Sequence, residues 1–517
     1  MSLNSKEKKN KKVIVLGGGT AGWFVALFAR KFLSNDVTLI ENRKKGIVGV
    51  GEGTTPPIME FFKMLDIHPY EVIANTGGTL KNGISFERWN EDSDDDVYFH
   101  PFNDLGQYNN FSMDNIFSHG CRDYYIKEVI GKKLDLKKHL WISRLSYENR
   151  VDDTETFSAL HFDTFALGDY LSTKAKDRGI EHIDGNFVDA ELDKDGFVTK
   201  VTLEDGRKYN CDFIFDCTGL SKTILKKKLD QKFISYSDTL AMKKALVIPK
   251  KEPGYFPYTK AIAMKYGWTF EIPLQYRIGR GYIFDSDYIN ETQAYDEVTK
   301  FYKEDIEVQK VISFDAGRME KAWIKNCISV GLAQSFVEPL EATSIWATIE
   351  MLNHLKHFVN CFENHNEVLI QNYNNDVNNM LDNIKDFIRL HYISNRNDSD
   401  FWKEFPQKYK MSSYIEHQVA SMKGGNLQYR CVKDYLASFD LQSWLAVGNG
   451  LNIFTDYDNT GYESIKPSVK EMKFLIDKNI KKSPLMKDWL NKKIGKDFKV
   501  LKDLHDKDKE AQYEPKF

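Results

Sequence analysis

The sequence predicts an α/β fold in which a Rossmann-like lobe with a mixed sheet is joined to a mostly helical second lobe. Three observations predict it. An apolar strand at residues 13–16 runs through a glycine turn into an apolar helix at residues 23–29. The 517 residues exceed the size at which a single hydrophobic core keeps growing. Apolar residues at helical spacing fill residues 350–356 and 374–390, in the last third of the chain.

The overall charge and hydropathy argue against several classes of partner. The formal net charge is -3 at pH 7, which gives no basis for binding nucleic acid or an anionic membrane. No stretch approaches the roughly 18 consecutive apolar residues of a membrane span. Residues 1–12 are polar and basic, which predicts a disordered tail and not a signal peptide. We therefore expect a soluble, cytoplasmic protein.

The six cysteines show neither a CxxC pair nor a dense framework. This pattern favours a reducing compartment and free, buried thiols. His357, Cys361 and His365 recur at a four-residue spacing, which could place three metal ligands on one face of a helix. Their surroundings are typical of an ordinary wet helix and suggest no fourth ligand, so we predict no metal site.

The glycine turn carries the spacing of a dinucleotide-binding fingerprint. Gly17, Gly19 and Gly22 follow the first strand and open the first helix, the context that this fingerprint requires. We expect Gly17 to make the tight turn, Gly19 to let the backbone approach a pyrophosphate and Gly22 to let helix and strand pack closely. The helix N-terminus, with Thr20 and Ala21, would turn its free N–H groups towards the phosphates.

The second strand, at residues 37–40, ends at Glu41. This acid follows the glycine turn at the expected separation of about 20 residues. Its carboxylate is suited to accept hydrogen bonds from an adenosine ribose, and it would repel the 2′-phosphate of NADP. The two strands, the turn and the acid together predict a site for FAD or NAD.

Two further segments favour FAD over NAD. Residues 46–57, which include Gly51 and Glu52, are too rich in glycine for a helix and predict a loop against a flat ligand. Residues 212–219 predict a strand that ends in Asp-x-x-Gly at Gly219, which is typical of flavoproteins whose FAD fold is split by insertions. The sequence has no second GxGxxG motif, so we expect electrons to come from a separate NAD(P)H-dependent flavin reductase.

Three more segments make the prediction more specific. They are residues 79–86 (TLKNGISF), 267–274 (GWTFEIPL) and 331–345 (GLAQSFVEPLEATSI). With the loop GVGEGTTPP at residues 49–57, and in this order, they resemble the flavin-dependent tryptophan halogenase family. The resemblance runs from the first strand to the end of the third segment.

The resemblance implies a box-shaped FAD-binding body of the glutathione-reductase or hydroxylase type at residues 13–350. It also implies inserted segments on the substrate side, at about 80–160 and 230–310. Residues 351–517 would form a mostly helical lobe that covers the substrate site.

The resemblance also implies the chemistry. Reduced FAD (FADH2), O2 and a halide ion give hypohalous acid, which travels through an internal tunnel to an electron-rich aromatic substrate. Lys81 would be the catalytic lysine that holds the hypohalous acid, and Glu341 the catalytic acid or base near the same end of the tunnel. The other implied roles are halide binding by the backbone around Thr343 and Ser344, flavin contacts by Phe187, Leu332 and Ile345, and a substrate pocket at His100 and Phe102.

The residue types suit these roles. A buried ammonium such as that of Lys81 is a compact donor whose pKa falls on burial. A carboxylate beside it, such as Glu341, could stabilise the arenium cation and take its proton. The alternatives are that Lys81 is a solvated surface residue and that Glu341 is an N-cap or first-turn acid of a helix at residues 343–355. The capping and catalytic roles of Glu341 could coexist. His100 has the alternative of an ordinary core or surface histidine.

Two departures from the family pattern bear on coupling and substrate. Phe270 stands where most relatives carry a second tryptophan, which keeps the aromatic bulk but removes the indole N–H. In the family this tryptophan-rich stretch is thought to discourage ordinary monooxygenation. The tyrosine-rich stretch that clamps free tryptophan is also absent. We therefore expect another indole or a small phenolic compound as the substrate.

Three functions are weighed on this basis. The leading one is electrophilic halogenation of an aromatic ring, with the halide and the ring position left open. The second is an FAD-dependent aromatic monooxygenase, which a halide-dependent product would exclude. The third is a flavoprotein that has lost catalysis and acts as a binding protein, against which the presence of Lys81 and Glu341 argues. A homo-oligomer is expected only from the general frequency of symmetric assemblies.

Overall fold

The computed structural model describes residues 11–45, 51–102, 141–152, 158–424, 439–454, 474 and 477–494. Its strands are β1 (Lys12–Leu16), β2 (Asp36–Glu41), β3 (Glu52–Gly53), β4 (Thr79–Lys81), β5 (Gly83–Glu87), β6 (Val97–Pro101), β7 (Ala159–Phe162), β8 (Glu181–Asp184), β9 (Phe187–Leu192), β10 (Val198–Leu203), β11 (Lys208–Asn210), β12 (Phe213–Asp216), β13 (Phe233–Ser235), β14 (Lys244–Val247), β15 (Thr259–Ala263), β16 (Gly267–Pro273), β17 (Ile278–Phe284), β18 (Lys310–Ser313), β19 (Gly317–Met319), β20 (Trp323–Ile324), β21 (Cys327–Ser329) and β22 (Ser335–Phe336).

Its α-helices are α1 (Thr20–Phe32), α2 (Pro57–Met64), α3 (Pro69–Thr76), α4 (Trp141–Tyr147), α5 (Thr164–Asp177), α6 (Glu291–Tyr302), α7 (Thr343–Leu355), α8 (Glu367–His391), α9 (Asp400–Lys408), α10 (Ser413–Lys423), α11 (Leu441–Gly450) and α12 (Met486–Lys493). Shorter helical turns include Gly331–Ala333, Pro339–Glu341 and Lys356–Phe362. In the part of the chain described here, no helix is both long and apolar enough to cross a lipid bilayer.

Several sequence predictions fall partly outside the described residues. They concern the tail at residues 1–12, the loop at 46–57, the insertion at about 80–160 and the far end of the lobe at 351–517. The division of the chain into a body and a covering lobe therefore stays a prediction.

The first large sheet is built around the βαβ unit that the glycine turn predicts. Its strand order is β20-β21-β12-β1-β2-β8, in which β20 is antiparallel and the others run parallel. The apolar sequences of β1 and β12 are buried along almost their whole length, as a parallel sheet covered on both faces requires. The helix α1 connects β1 to the parallel neighbour β2. This is the Rossmann-like α/β arrangement that the sequence predicts.

The second large sheet supplies an aromatic wall. Its strand order is β18-β14-β17-β16-β15-β5-β6, and within it the β15–β5 pair is parallel. Side chains alternate between the faces of a strand, so Trp268, Phe270 and Ile272 of β16 share one face. All three line the main cavity, together with Gly281 and Ile283 of the neighbouring strand β17.

A small sheet of order β3-β7-β4 brings two distant segments together. Gly53 and Thr79 both pair with His161 of the central strand β7. Because β3 and β4 flank the same strand, the loop that contains Glu52 comes close to Lys81 at the end of β4. This contact depends on β7 and cannot be seen from the spacing of the two segments along the chain.

The helix α8 extends over 25 residues and connects the helical region to the sheets. The side chain of Asn366 caps its first turn by accepting a hydrogen bond from the Leu369 N–H at 3.1 Å. Its last six residues, from Asp386 to His391, are all buried. The largest apolar core contains residues of β1, α1, β16, α8 and α11, for example Val15 and Trp444. The sheets and the helices therefore share one core.

The cysteines that the structure describes are free and buried, namely Cys211, Cys217, Cys327 and Cys361. Burial raises the pKa of the Cys217 and Cys327 thiols well above the usual value. These thiols remain protonated and behave as small apolar side chains.

The packing of α1 on β1 gives a testable contrast between two helical glycines. A Cβ at Gly22 would overlap the Gly17 carbonyl oxygen, whereas a Cβ at Gly168 in α5 would lie 3.9 Å from Trp23 Nε1. We expect Gly22→Ala to lower the unfolding temperature and to weaken FAD binding by about tenfold, because α1 must move away from the turn. Gly168→Ala should be neutral or stabilise the chain by about 0.5–1 kcal/mol. Thermal unfolding and FAD titration measure both effects, and equal behaviour of the two variants would contradict the tight packing at Gly22.

Candidate active site

A large cavity of about 410 Å³ is lined by both large sheets and by the start of α7. Lys81 and Ser344 line it. It also collects most of the predicted cofactor residues, which are Gly17, Gly19, Thr20, Ala21, Glu41, Gly51, Glu52, Phe187, Gly219, Leu332 and Ile345. Gly22 is placed instead in the contact between α1 and the turn. The predicted cofactor site and the predicted catalytic lysine thus share one cavity.

The glycine turn leaves the start of α1 open to a ligand. Gly17 has a φ of +107°, and a Cβ there would overlap the Cys217 carbonyl oxygen. Gly19 is the N-cap of α1, and among the described residues no side chain caps this end. The Thr20 hydroxyl is buried and has no hydrogen-bond partner in the described part of the chain. The N–H groups of the first turn therefore remain available to phosphate oxygens.

Glu41 ends β2 as predicted, but part of its carboxylate is already engaged. His182 Nε2 lies 2.7 Å from Glu41 Oε1, and Arg43 Nε lies 3.8 Å from the same atom. A Cβ at Gly18 would overlap the other side of the carboxylate. Gly18 and His182 are therefore site residues that the sequence analysis missed. His182 lies on β8, whose pairing with β2 the local sequence does not reveal.

The lining of the cavity is mostly apolar. Trp268 and Phe270 face it from β16, with ring centroids 6.0 Å apart. Glu52 also lines the cavity, and burial raises its pKa to about 7. An apolar lining, free N–H groups at the start of α1 and an acid at the end of β2 match the three parts of FAD. The residues present therefore fit this cofactor.

Lys81 lies at the end of β4 with 0% of its surface exposed. Its Nζ makes no hydrogen bond within the described residues and lies 4.8 Å from the centroid of the Phe102 ring. A Cβ at Gly53 would be only 3.1 Å from this Nζ. Burial lowers the pKa of Lys81 to about 7, although the charge of Glu341 acts in the opposite direction. The alternative of a solvated surface lysine is wrong.

A neutral histidine, His161, lies behind Lys81. The Thr79 hydroxyl donates to the Pro273 carbonyl at 2.9 Å, so it accepts a hydrogen bond from His161 Nδ1 at 2.9 Å. His161 Nε2 then accepts from the Thr259 hydroxyl at 3.0 Å. Burial and the charge of Lys81 hold the pKa of His161 well below its usual value. His161 therefore stays neutral and does not pair with the Lys81 amine.

Glu341 is a buried carboxylate held by two histidines. It ends the short turn Pro339–Glu341 and is 1% exposed. His100 Nδ1 lies 3.0 Å from each of its carboxylate oxygens, and His391 Nε2 lies 2.9 Å from Oε1. Burial raises its pKa, but His100 and His391 outweigh this effect and lower the pKa to about 2. Glu341 therefore remains ionised at neutral pH.

His391 and Tyr98 extend this arrangement, and the sequence analysis missed both. The Tyr98 hydroxyl lies 2.9 Å from His391 Nδ1. If the hydroxyl donates to Nδ1, the proton of His391 sits on Nε2, the nitrogen that lies 2.9 Å from Glu341 Oε1. Burial lowers the pKa of His391, partly offset by Glu341. A buried histidine at the end of an apolar helix was the available signal, but its partner lies far away in the sequence.

The alternative that Glu341 merely caps α7 is wrong. Ala342 is the N-cap, with a φ of +56°, and among the described residues no side chain caps the helix. The Thr343 hydroxyl is buried without a hydrogen-bond partner in the same set of residues. Ser344 lines the main cavity, whereas Thr343 lines a smaller neighbouring one. The start of α7 therefore offers unpaired donors to an anion.

An aromatic cluster of His100, Phe102, Phe387 and Phe439 lies beside Lys81 and Glu341. The centroid of the His100 ring lies 6.3 Å from Phe102, 5.9 Å from Phe387 and 6.3 Å from Phe439. Phe387 and Phe439 stack with centroids 3.7 Å apart. His100 and Phe102, predicted as pocket residues, thus stand beside the predicted catalytic pair. Phe387 and Phe439 were not predicted as pocket residues.

Within the described residues, no group of three His, Cys, Asp or Glu side chains is arranged to hold a metal ion. His357 and Cys361 lie in the turn Lys356–Phe362, which has 3₁₀ geometry. At three residues per turn, positions four apart do not share one face. Lys81 offers a buried amine with a pKa of about 7, and Glu341 offers a carboxylate with a pKa of about 2. Such a pair can polarise an electrophile and accept a proton.

The sequence of this chain is similar to that of known proteins over most of its length. A model of the tryptophan halogenase family matches residues 12–465. The chain is 31% identical to tryptophan 6-halogenase SttH of Streptomyces toxytricini over 424 residues, which are 76% of this chain and 80% of that enzyme. It is 31% identical to tryptophan 7-halogenase RebH of Lentzea aerocolonigenes over 422 residues, which are 76% of this chain and 78% of that enzyme.

Solved structures are similar over almost the whole chain. BrvH, a flavin-dependent halogenase from Brevundimonas sp. BAL3, gives a TM-score of 0.82 at 26% identity and covers 94% of this chain and 100% of that one. The structure of SttH gives a TM-score of 0.83 at 26% identity, with 93% and 99% covered.

The buried amine of Lys81 predicts a stability that depends on pH. Since its pKa falls from 10.5 to about 7 in the folded chain, the unfolded chain binds more protons between these two values. The penalty on folding therefore grows as the pH falls from 10.5 to about 7 and is constant below that. We expect Lys81→Met to raise the unfolding temperature slightly near pH 10 and by several degrees near pH 7. Calorimetry of both proteins across this range measures the difference.

Lys260→Met is the matched control. Lys260 in β15 has a carboxylate partner, because its Nζ lies 3.4 Å from Glu271 Oε2. Burial lowers its pKa, but Glu271 outweighs this effect and the pKa is raised. Removal of this lysine should lower the unfolding temperature or leave it unchanged. A Lys81→Met variant that is less stable than the wild type at neutral pH would contradict an unpaired amine at Lys81.

Proposed function

The chain belongs to the tryptophan halogenase family, and from this premise we propose that it halogenates an electron-rich aromatic ring with FADH2, O2 and a halide ion. The observation that carries the proposal is that Lys81 and Glu341 are both buried beside the aromatic cluster. Lys81 is an amine with a pKa of about 7, and Glu341 is a carboxylate with a pKa of about 2. Lys81 lines the cavity that fits FAD.

Reduced FAD with O2, when bound in the cavity, supplies the oxidation of halide to hypohalous acid. We assign the pyrophosphate to the start of α1 at Gly17 and Gly19, and the ribose to Glu41. The halide is assigned to the start of α7 at Thr343 and Ser344, where the unpaired donors lie. The remaining cofactor contacts are assigned to Thr20, Ala21, Gly51, Glu52, Phe187, Gly219, Leu332 and Ile345, all of which line the cavity.

Lys81 holds and polarises hypohalous acid in this proposal. Its Nζ has no other hydrogen-bond partner among the described residues, so it is available to the incoming molecule. In the ammonium form it donates a hydrogen bond to the oxygen, which makes the halogen more electrophilic. The halogen then bonds to the ring carbon, and the departing hydroxide takes the ammonium proton and leaves as water.

Glu341 removes the proton that halogenation displaces. The attacked ring carries a positive charge until it loses this proton, and an ionised carboxylate in a dry site stabilises that charge. His100 and His391 keep Glu341 ionised and hold it in place. In total, one halogen replaces one hydrogen on the ring and one water is formed.

The substrate that we propose is an indole other than free tryptophan, or a small phenol. We assign the substrate ring to the aromatic cluster of His100, Phe102, Phe387 and Phe439, in which stacking supplies the binding energy. A separate NAD(P)H-dependent reductase supplies FADH2, since the sequence carries one dinucleotide fingerprint. An aromatic monooxygenase remains the alternative, because Phe270 stands where most relatives have tryptophan.

The first test asks whether product formation requires halide. The chain is incubated with FAD, a generic flavin reductase, NADH and catalase, with chloride, bromide or iodide tested separately against a panel of indoles and phenols. Mass spectrometry should show halogen incorporation that falls by roughly 10²-fold or more in Lys81→Ala, since the donor is lost. The matched Lys260→Ala variant should retain the activity. Normal halogenation by Lys81→Ala would refute the mechanism, and hydroxylated, halogen-free products would favour the monooxygenase.

The two histidines on Glu341 predict a shift in pH dependence. His391→Phe removes one group that lowers the pKa of Glu341, and burial then raises this pKa. Because the ionised form acts as the base, activity should be lost at a higher pH on acidification, by about one pH unit or more. His354→Phe is the control, since His354 pairs with Asp376 at 2.8 Å. An acid limb of the kcat profile that does not move in His391→Phe would contradict this role.

A further inference from the structure

A second buried carboxyl group, that of Glu338, lies three residues before Glu341 and has no part in the mechanism above. It is 1% exposed. Its Oε2 accepts hydrogen bonds from Trp268 Nε1 at 2.7 Å and from the Tyr392 hydroxyl at 2.5 Å. Its Oε1 is buried and has no hydrogen-bond partner within the described residues. Two donors from different parts of the fold thus converge on one oxygen atom.

The two donors lead to the two halves of the site. Trp268 lies in β16, is 1% exposed and lines the cavity that fits FAD. Tyr392 directly follows His391, whose Nε2 lies 2.9 Å from Glu341 Oε1. The ring of Tyr392 is itself fixed, because it stacks on Phe405 with centroids 4.6 Å apart and an angle of 4° between the planes. Glu338 therefore connects the Trp268 indole to Tyr392, whose ring is fixed against Phe405.

The electrostatics of Glu338 differ from those of its neighbour. Burial raises the pKa of Glu338 to about 7, partly offset by the hydrogen bonds from Tyr392 and Trp268. Glu341 is equally buried, but two imidazoles hold its pKa at about 2. The indole N–H and the hydroxyl offset the burial of Glu338 only in part. This environment suits a group that orients its neighbours and not one that takes the ring proton.

We propose that Glu338 is a positioning residue that fixes the Trp268 indole against the flavin cavity and ties it to the C-terminal end of α8. The functional part of this inference rests on the proposed halogenase activity. A buried indole N–H that loses its acceptor is left unsatisfied, so the ring is driven to another orientation. The cavity wall at β16 then no longer closes against the cofactor, and water gains access.

The expected consequence is uncoupling. With a loose wall, FADH2 and O2 give FAD and H2O2 more often, and the oxidising equivalents do not reach halide. Loss of one well-formed hydrogen bond corresponds to roughly a 3- to 10-fold change. We therefore expect the H2O2 released per FADH2 consumed to rise by about that factor in Glu338→Leu. The KM for substrate should change little, since Glu338 does not belong to the aromatic cluster to which the substrate is assigned.

A spectroscopic test examines the contact without any turnover. The chain contains 9 tryptophans, and selective ¹⁵N labelling gives one indole N–H resonance for each, with that of Trp268 assigned by its loss in Trp268→Phe. In Glu338→Gln, which keeps the size of the side chain, the Trp268 resonance should shift while those of distant indoles stay in place. Tyr392→Phe should shift it less, because Trp268 keeps its acceptor. A Trp268 resonance that stays in place in Glu338→Gln would overturn the inference.

A double-mutant cycle separates positioning through Trp268 from a general structural effect. Peroxide release is measured without catalase in Glu338→Leu, Trp268→Phe and the double variant. If Glu338 acts through the indole, the double variant should release no more peroxide than Trp268→Phe alone. Additive effects would overturn the inference. Glu338→Gln repeats the cycle with a variant that preserves packing, in case Glu338→Leu does not fold.

A control carboxyl group is that of Glu297 on α6, which bonds to β17 of the same sheet. Glu297 accepts a hydrogen bond from the Tyr282 hydroxyl at 2.7 Å, outside the cavity. Glu297→Gln should leave both the Trp268 resonance and the peroxide yield unchanged, and a change equal to that in Glu338→Gln would overturn the inference. The two proposals can also fail separately. If the wild type halogenates nothing while Glu338→Gln still moves the Trp268 resonance, the proposed function fails and the positioning contact stands.

Discussion

The site depends on one constraint, which is that an ionised carboxylate at Glu341 must be held away from water. An isolated buried charge costs several kcal/mol, and only charged or strongly polarised partners offset that cost. Here the partners are His100 from β6 and His391 from the end of α8. Three elements must therefore meet at Glu341, namely the second sheet, the turn Pro339–Glu341 and α8. The aromatic cluster lies beside that meeting point.

The environment of Lys81 is the opposite of that of Glu341, because among the described residues it offers the buried charge no hydrogen-bond partner. This contrast explains how the two groups can work together. Its strand is set by pairing with β7, and its amine is left without a hydrogen-bond partner in the described part of the chain. The nearby His161 is kept neutral by burial and by the charge of Lys81. A carboxylate that keeps its charge and an amine that can lose it give a proton acceptor and a tunable donor within one dry site.

Local sequence patterns predicted the parts of this arrangement that local interactions determine. The glycine turn, α1, the acid at Glu41 and the bounds of α7 follow from steric limits and periodicity within one or two elements. The partners of the buried charges do not. Tyr98 and His391 are 293 positions apart, and the Trp268–Glu338 bond spans 70 positions. No spacing rule connects such residues, because β6, β16 and α8 come together only when the whole core forms. Lys81 and Glu341 were predicted from a family resemblance, and not from the geometry that makes them reactive.

The segment Glu338-Pro339-Leu340-Glu341 shows why the two halves of the site are hard to separate. Its two carboxyl groups are both buried, yet one has a pKa of about 7 and the other of about 2. The difference arises because an indole N–H and a hydroxyl contact Glu338, whereas two imidazoles lie beside Glu341. Tyr392 and His391, adjacent at the end of α8, are among those donors. A ligand that displaces this end of α8 must therefore affect two carboxyl groups together. One is Glu338, which accepts the Trp268 N–H, and the other is Glu341, the base beside the aromatic cluster. A substitution in the aromatic cluster that moves His391 should accordingly also shift Trp268, even though the substituted residue does not contact the Trp268 ring.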